Sequence, residues 1–248
     1  MCSIALMRLF NRQYVYHNKG YCPSCDSNVI FRAKQDWLRD HYFCSKCGSL
    51  PRERALTTVI EKYYPNWKDL TIHESSPEMR GTSLKLMQGC PQYSSSQFFP
   101  DAPSGQIHNG VMNQNLESLT FLNESIDIFI TQDVMEHILD PAKAFQEIGR
   151  VLKKGGAHIF TVPILNRANP SERWAERNPD GRIRFLKSPE YHGSPVNPEG
   201  CPVTMHWGYD ICDFIYKSSG LYTTIFLMDN PKLGIEAEYL EVMITRKQ

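Results

Sequence analysis

Asp127-Ile-Phe-Ile-Thr-Gln-Asp-Val-Met-Glu-His-Ile138, continued by Asp140-Pro-Ala-Lys-Ala-Phe-Gln-Glu-Ile-Gly-Arg-Val-Leu-Lys-Lys-Gly-Gly-Ala-His-Ile-Phe-Thr-Val-Pro163, reads as strand, short helix, longer helix, Gly-Gly turn and strand. Ile126, Ile128, Phe129 and Ile130 form a short apolar run that ends in polar Thr-Gln-Asp. A buried parallel strand has this pattern where it opens onto a ligand crevice. Asp140-Pro141 supplies an N-cap followed by proline in the first turn, and Ala144, Phe145, Ile148, Val151 and Leu152 make one apolar helical face. Lys153-Lys154-Gly155-Gly156 reads as a cationic, glycine-rich stop, and Ile159-Phe-Thr-Val162 as the next buried strand. Strand and helix alternating in this way predict an α/β fold with a parallel sheet.

From Asp127 to Pro163 the chain resembles the C-terminal half of the class I S-adenosylmethionine (SAM)-dependent methyltransferases, whose signature runs FD…EH…DP…E…R.LKPGG. The resemblance implies a Rossmann-like, seven-stranded sheet with helices on both faces and SAM as methyl donor. Working back toward the N-terminus, Leu70-Thr-Ile-His-Glu-Ser-Ser-Pro-Glu-Met-Arg-Gly81 takes the place of the first strand and its glycine-rich loop. Glu74 stands where the resemblance puts the acid that meets the ammonium of SAM. Ser75, Ser76, Pro77 and Gly81 replace the usual GxGxG. Either Ser75 and Glu78 form a capping box, or Ser76 caps a helix whose first residue is Pro77. Serines at a helix N-terminus offer hydroxyls and N–H groups to a carboxylate, but their Cβ atoms disfavour positive φ.

Tyr93–Phe99 is the candidate second strand, with Ser96 and Gln97, and Asp101 beyond Pro100, near the place of the ribose-binding acid; Gln97 can accept from a hydroxyl, and Phe98 or Phe99 could flank adenine. Asn115-Leu116-Glu-Ser-Leu-Thr-Phe121 resembles the D-x-E-x-L-P-F segment at the adenine edge, with Asn115 in place of the aspartate. Gln132 and Asp133 would lie beside the sulfonium. His137, in Glu136-His137, belongs to the signature and faces the crevice. After a helix over Tyr209–Gly220, Thr223–Met228 and Tyr239–Thr245 read as the closing antiparallel strands.

Two further regions stand apart. Cys22-Pro-Ser-Cys25 and Cys44-Ser-Lys-Cys47 are paired CxxC knuckles, the spacing of a closed, structural Zn2+ site with four cysteine ligands. Val29-Ile-Phe31 and His41-Tyr-Phe43 between them read as the strands of a zinc ribbon. Arg52–Tyr64 follows as a helix with Leu56, Val59, Ile60 and Tyr63 on its docking face, Arg52 and Arg54 being expected toward solvent or else lining a site for an anionic substrate. Residues 163–205 are rich in proline, yet they hold Trp174, Phe185, Tyr191 and His192, so they read as an ordered lid over the acceptor. Methyl transfer to a hydroxyl gains from a nearby base; His192 is the first candidate, with His137, Asp133 and His206 behind it. The organisation expected is an arm and ribbon over 1–50, a connecting helix over 51–64, and a methyltransferase domain over 65–248.

Lys+Arg and Asp+Glu are both 27, so the chain carries no net charge that would coat nucleic acid nonspecifically. The leading reading is methyl transfer to a small-molecule or glycan-type acceptor at oxygen; the charge balance counts against RNA, the runner-up, which would need Arg32, Lys34, Arg39, Arg52 and Arg54 on one face. A non-catalytic binding protein on a degenerate scaffold is the third reading. No apolar run is long enough to span a membrane, and in Met1–Phe10 the arginines at 8 and 12 follow the apolar residues, unlike a signal peptide. Paired cysteine spacing in a chain of 248 residues points to the cytoplasm rather than to a disulfide scaffold, with Cys2, Cys90, Cys201 and Cys212 as free thiols.

Overall fold

A computed structural model describes residues 14–193 and 196–248. Met1–Phe10 and Cys2 lie outside the described residues. The chain starts with β1 (Tyr16–Cys22) and β2 (Ser27–Ala33), an antiparallel pair, and β3 (Tyr42–Cys44) adds to β2 with Phe31 opposite Cys44. β2 contains the first expected ribbon strand, and β3 takes Tyr42 and Phe43 of the second, whose His41 ends the preceding helix instead; β1 is additional. The short helix α1 (Leu38–His41) bridges β2 to β3. Cys22, Phe31, Ala33, Tyr42 and Cys44 are the buried core of this module, too small a set to hold a fold by burial alone.

Helix α2 (Pro51–Tyr63) opens with proline at its first position, and the Glu53 carboxylate accepts from the Leu50 N–H at 3.0 Å. Ala55, Leu56, Val59 and Ile60 pack on one sheet face, whereas Tyr63 is 39% exposed at the rim, its ring 4.7 Å from Phe226. Arg52 and Arg54 correct the solvent-facing expectation, because both are withdrawn from water. Arg54 is fully buried: it donates to the carbonyls of Ser49, Tyr42 and Gly234 and lies 4.5 Å over the Phe31 ring. A guanidinium is tolerated in a core when its fixed fork meets this many acceptors. Gly234 is required here: its φ is +65°, and a Cβ would stand 2.8 Å from the Phe31 ring.

The sheet is built from β4 (Ile72–Ser75), β5 (Tyr93–Gln97), β6 (Ile107–His108), β7 (Val111–Asn113), β8 (Ile126–Gln132), β9 (Leu152–Thr161), β16 (Tyr222–Phe226) and β17 (Val242–Arg246), in the order β16-β17-β9-β8-β4-β5-β7-β6. Eight strands replace the seven expected; the extra one is β6, which forms a hairpin with β7. Strands β9, β8, β4, β5 and β7 are parallel, and β17 runs antiparallel between β9 and β16. Alternation along β8 divides the core. Ile128 and Ile130 face α2 and α3 (Gly81–Gly89); Phe129 faces α4 (Pro141–Val151) and α5 (Ile211–Ser219). Helices therefore cover both faces.

Several boundaries differ from the sequence reading, among them the closing strands, which run Tyr222–Phe226 and Val242–Arg246 instead of Thr223–Met228 and Tyr239–Thr245. Helix α3 starts at Gly81 with Arg80 as its N-cap, so neither Ser75 nor Ser76 caps it. Strand β5 ends at Gln97 instead of Phe99. Lys153–Gly156 does not stop a helix: α4 ends at Val151 and these residues bulge out of β9, where the register jumps from Ile126–Leu152 to Ile128–Ala157. Asp140 does cap α4, its Oδ1 accepting from the Lys143 N–H at 3.1 Å.

After β9 the chain forms short antiparallel ladders, β10 (Glu172–Arg173) with β15 (Met205–His206), β11 (Ala175–Arg177) with β12 (Ile183–Phe185), and β13 (Tyr191–His192) with β14 (Cys201–Pro202). Met205 and the following Trp207 are buried against α4 and α5, which roots the insertion in the main core. No helix of the described residues is long and apolar enough to cross a membrane.

Candidate active site

The residues singled out in the sequence gather at the C-terminal edge of the parallel strands, where α/β sheets hold their ligands. Glu74, on β4, is fully buried. Its Oε1 accepts from Ser83 Oγ at 2.7 Å and Gln132 Nε2 at 2.6 Å, and its Oε2 from the Tyr93 hydroxyl at 2.7 Å. Burial pushes its pKa up from the ordinary carboxylate value, against those three hydrogen bonds. Gln132 Oε1 beside it is buried and has no hydrogen-bond partner among the described residues.

Ser76 turns the chain out of β4 with φ +57°, the left-handed conformation a glycine usually supplies, while its N–H donates to Ser96 O at 2.8 Å. The turn that a Cβ was expected to resist is thus made with one. Gly81 faces α2 instead: a Cβ there would fall 2.2 Å from Glu53 Oε2. Ser75 is buried within β4, and Pro77 sits in the turn between. Gln97 ends β5, its carbonyl accepting from the Gln114 N–H at 2.9 Å. Asn115 forms a local turn, its Oδ1 accepting from the Glu117 N–H, and Leu116 joins the core.

Asp133 follows β8 with φ +51°. Its Oδ2 takes Arg39 Nη2 at 2.8 Å and Arg52 Nε at 2.7 Å; its Oδ1 takes Thr161 Oγ1 at 2.9 Å. Burial works to raise its pKa, but the two guanidiniums outweigh that and hold the carboxyl below its ordinary range. Arg39 comes from α1 of the cysteine module and Arg52 from α2, the helix that connects it to the sheet.

Beyond Asp133 the 3-10 turn Met135–His137 is fastened by the insertion. Thr204 donates to Glu136 O through its N–H at 2.7 Å, and through Oγ1 to Ile138 O at 2.6 Å. His137 Nδ1 lies 2.9 Å from the Pro202 carbonyl. Strand β14 carries β13 with it, pairing His192 with Cys201, and this sets the His192 ring edge-on to His137 with centroids 4.9 Å apart. The three residues read as catalytic, His192, His137 and Asp133, are therefore brought to one corner. His206 lies to the side, stacked on Trp174 at 3.8 Å and hydrogen-bonded to Glu190.

Burial works to lower His137, and the Cys201 thiol, the Pro202 carbonyl and Asp133 outweigh it, leaving the pKa raised. Burial, helped by neighbouring His137, lowers His192. Glu136 is 2% exposed, and neither carboxylate oxygen has a hydrogen-bond partner among the described residues. A cleft of about 400 Å³ adjoins this edge, lined by Arg167, Tyr209, Leu227, Tyr239 and Glu241, and the Tyr239 carbonyl accepts from Arg39 Nε at 3.2 Å.

The four cysteines Cys22, Cys25, Cys44 and Cys47 converge, with sulfurs within 4.8 Å of one another; Cys22–Cys47 is 3.7 Å and Cys25–Cys44 is 3.9 Å. A tetrahedral Zn2+ with bonds of about 2.3 Å needs sulfur–sulfur edges of roughly 3.8 Å. Burial, and then the neighbouring sulfurs, push the Cys25 thiol up to about 12. Four sulfurs packed this closely fit a cation that would neutralise them.

Sequence reasoning missed Tyr93 and Ser83 beside Glu74, Arg39 and Arg52 on Asp133, and Glu136 itself. The run Pro51-Arg-Glu-Arg54 carried a faint signal, since α2 buries Glu53 and Arg54 and pairs Arg52 with Asp133.

Residues 93–160 match the methyltransferase-domain family. No curated protein matches the chain. Among solved structures the chain is similar to a SAM-dependent methyltransferase from Mesorhizobium loti, at 14% identity and TM-score 0.47, over 77% of this chain and 96% of that one. It is also similar to the 1,6-didemethyltoxoflavin-N1-methyltransferase of Burkholderia thailandensis, at 9% identity and TM-score 0.48, over 79% of each chain. A SAM-dependent methyltransferase from Methanosarcina mazei shares 16% identity at TM-score 0.43, over 76% of this chain and 97% of that one. The family match falls on the strands and loops from β5 to β9, which contain Gln132, Asp133 and His137.

Proposed function

We propose that the chain transfers the methyl group of SAM to a hydroxyl of a small-molecule or glycan-type acceptor, in the cytoplasm, with one structural zinc held by Cys22, Cys25, Cys44 and Cys47. The observation that carries the acceptor chemistry is the His137–His192 pair at 4.9 Å, set beside Asp133 at the edge where β8 ends. SAM, when bound, supplies an electrophilic methyl group. Gln132 Oε1, unpartnered next to Glu74 among the described residues, is an acceptor suited to its ammonium group. The turn at Ser75, Ser76 and Pro77 would receive the carboxylate, and Gln97, Asn115 and Leu116 would flank the nucleoside.

His192 assists loss of the hydroxyl proton. Its lowered pKa keeps it unprotonated near neutral pH, as a base must be. His137, tied to the Pro202 carbonyl, orients it. Asp133 holds two guanidiniums and is a poor proton acceptor, so its part is to position the corner. Burial of Arg54 and engagement of Arg52 by Asp133 and Asp40 remove two of the cations that an RNA-binding face would have used. The test is radiolabel transfer from methyl-labelled SAM to a panel of hydroxylated metabolites and to bulk RNA, with calorimetric SAM binding alongside. Label entering RNA alone would overturn the acceptor class, and absence of SAM binding would overturn the reading as a whole.

A further inference from the structure

The geometry points to a second metal site, separate from the cysteines: Glu136, His137 and His192 bind one divalent transition-metal ion of the Zn2+, Co2+ or Fe2+ class at the catalytic corner. One ligand atom from each of these residues lies within 4.8 Å of the others. The Glu136 carboxylate is the independent sign of a ligand, being 2% exposed with both oxygens lacking a hydrogen-bond partner among the described residues. An ionised carboxylate is not stable in such surroundings without a donor or a cation. Glu74, as deeply buried on the neighbouring strand, has three donors.

The imidazoles are prepared as ligands. His137 Nδ1 is committed to the Pro202 carbonyl, so the nitrogen that remains is Nε2, 3.9 Å from Glu136 Oε1. Metal-binding histidines have this outer hydrogen bond to a carbonyl or carboxylate almost without exception. His192 has its own such neighbour, Glu190 Oε1 at 3.4 Å from Nε2. Glu190 in turn is held by His206, which is stacked on Trp174. Cation–cation repulsion is limited, because Arg39 and Arg52 are engaged by Asp133 and Asp40. Two imidazoles and one carboxylate select a borderline transition ion over Mg2+ or Ca2+, which take oxygen ligands, and they leave positions open for another oxygen.

The role assigned to the ion rests on the proposed methyl transfer to a hydroxyl. An acceptor oxygen bound at an open position becomes more acidic. Its proton leaves to water, the oxygen–methyl bond forms, and the sulfur–methyl bond breaks. With the ion bound, unprotonated His192 would assist that proton loss as a ligand of the ion.

Binding is tested without SAM or acceptor. Full-length protein whose cysteines already hold zinc, verified by elemental analysis, is titrated with Co2+ and followed by calorimetry and visible absorption. One further equivalent should bind at micromolar concentrations, with d–d bands and no thiolate charge-transfer band. Glu136→Gln and His192→Ala should weaken this step by about 100-fold or more, and Glu190→Gln by about 10–100-fold. His192 is partly exposed, so its variant tests the site even where Glu136→Gln folds poorly. Wild-type protein taking up no second equivalent, or both ligand variants taking it up as wild type does, overturns the site. SAM binding measured in parallel separates the two ideas: its presence without the ion sinks the metal site alone, and its absence with the ion bound sinks the methyl-transfer role.

Discussion

Two glutamates are buried at the same edge of the same sheet, and their surroundings are opposite. Glu74, on β4, has each oxygen occupied by donors from α3, β5 and β8. Glu136, just past β8, has none among the described residues. Both lie in the part of the fold where ligands bind, so location alone does not separate them. Hydrogen-bond satisfaction does. A carboxylate with three internal donors holds three elements together, whereas one with none marks a place where something else belongs.

Catalysis gives the largest expected difference between these corners. His192→Ala, next to Glu136, should lower turnover by about 10²–10⁴-fold while calorimetric SAM affinity stays within about twofold. A fall of less than about fivefold would make His192 structural and return attention to His137 and His206.

At the other corner the effect should appear in stability and cofactor affinity. Glu74→Ala strands Ser83, Tyr93 and Gln132 in a new cavity and should cost about 2–4 kcal/mol in urea unfolding. A folded sample should bind SAM roughly tenfold or more weakly. Unchanged stability would mean that the three donors find each other, and the contrast with Glu136 would collapse.

Acid should act on the sheet between the corners. His73 and His158 are buried, and that burial lowers each to about 3. The unfolded chain, with histidines near 6.5, takes up protons that the folded chain refuses. Stability should therefore be complete above about pH 6.5 and decline steadily as the pH falls toward 3. His158→Gln should flatten that decline in chemical-denaturation curves recorded across the range. An unchanged slope would mean that His158 is already charged in the native state.

The smallest effect has the opposite sign. In EDTA, Glu136→Gln replaces an unpaired buried acid with a neutral amide and should stabilise the protein by up to about 1 kcal/mol, at the expense of turnover. Destabilisation beyond about 1 kcal/mol would show that Glu136 has a structural partner after all.

Much of this was readable in the sequence where the signal was local. The apolar run of β8, the Asp140-Pro141 cap and the knuckle spacing each specify their own element within a few residues. The pairing of His137 with His192 was legible as candidates but not as a contact, because it depends on β13 pairing with β14 and on Thr204 reaching Glu136. What escaped was set by distant partners. Arg39 and Asp133 are 94 positions apart, and Arg54 is buried by carbonyls as far away as Gly234. Ser76 in a left-handed turn breaks the local rule outright, and the hydrogen bond from its N–H to the Ser96 carbonyl on β5 shows which tertiary contact secures it.

The arginine bridge changes where this protein can be cut. A boundary before Pro51 separates the cysteine module from the sheet on a map of folds, yet it severs a shared electrostatic unit. A chain begun there keeps Arg52 but loses Arg39, the second cation on Asp133, together with the Ser49 and Tyr42 carbonyls that hold Arg54. One buried anion would be short of a counter-ion and one buried cation short of acceptors. The cysteine module and the sheet are therefore expected to fold as one piece.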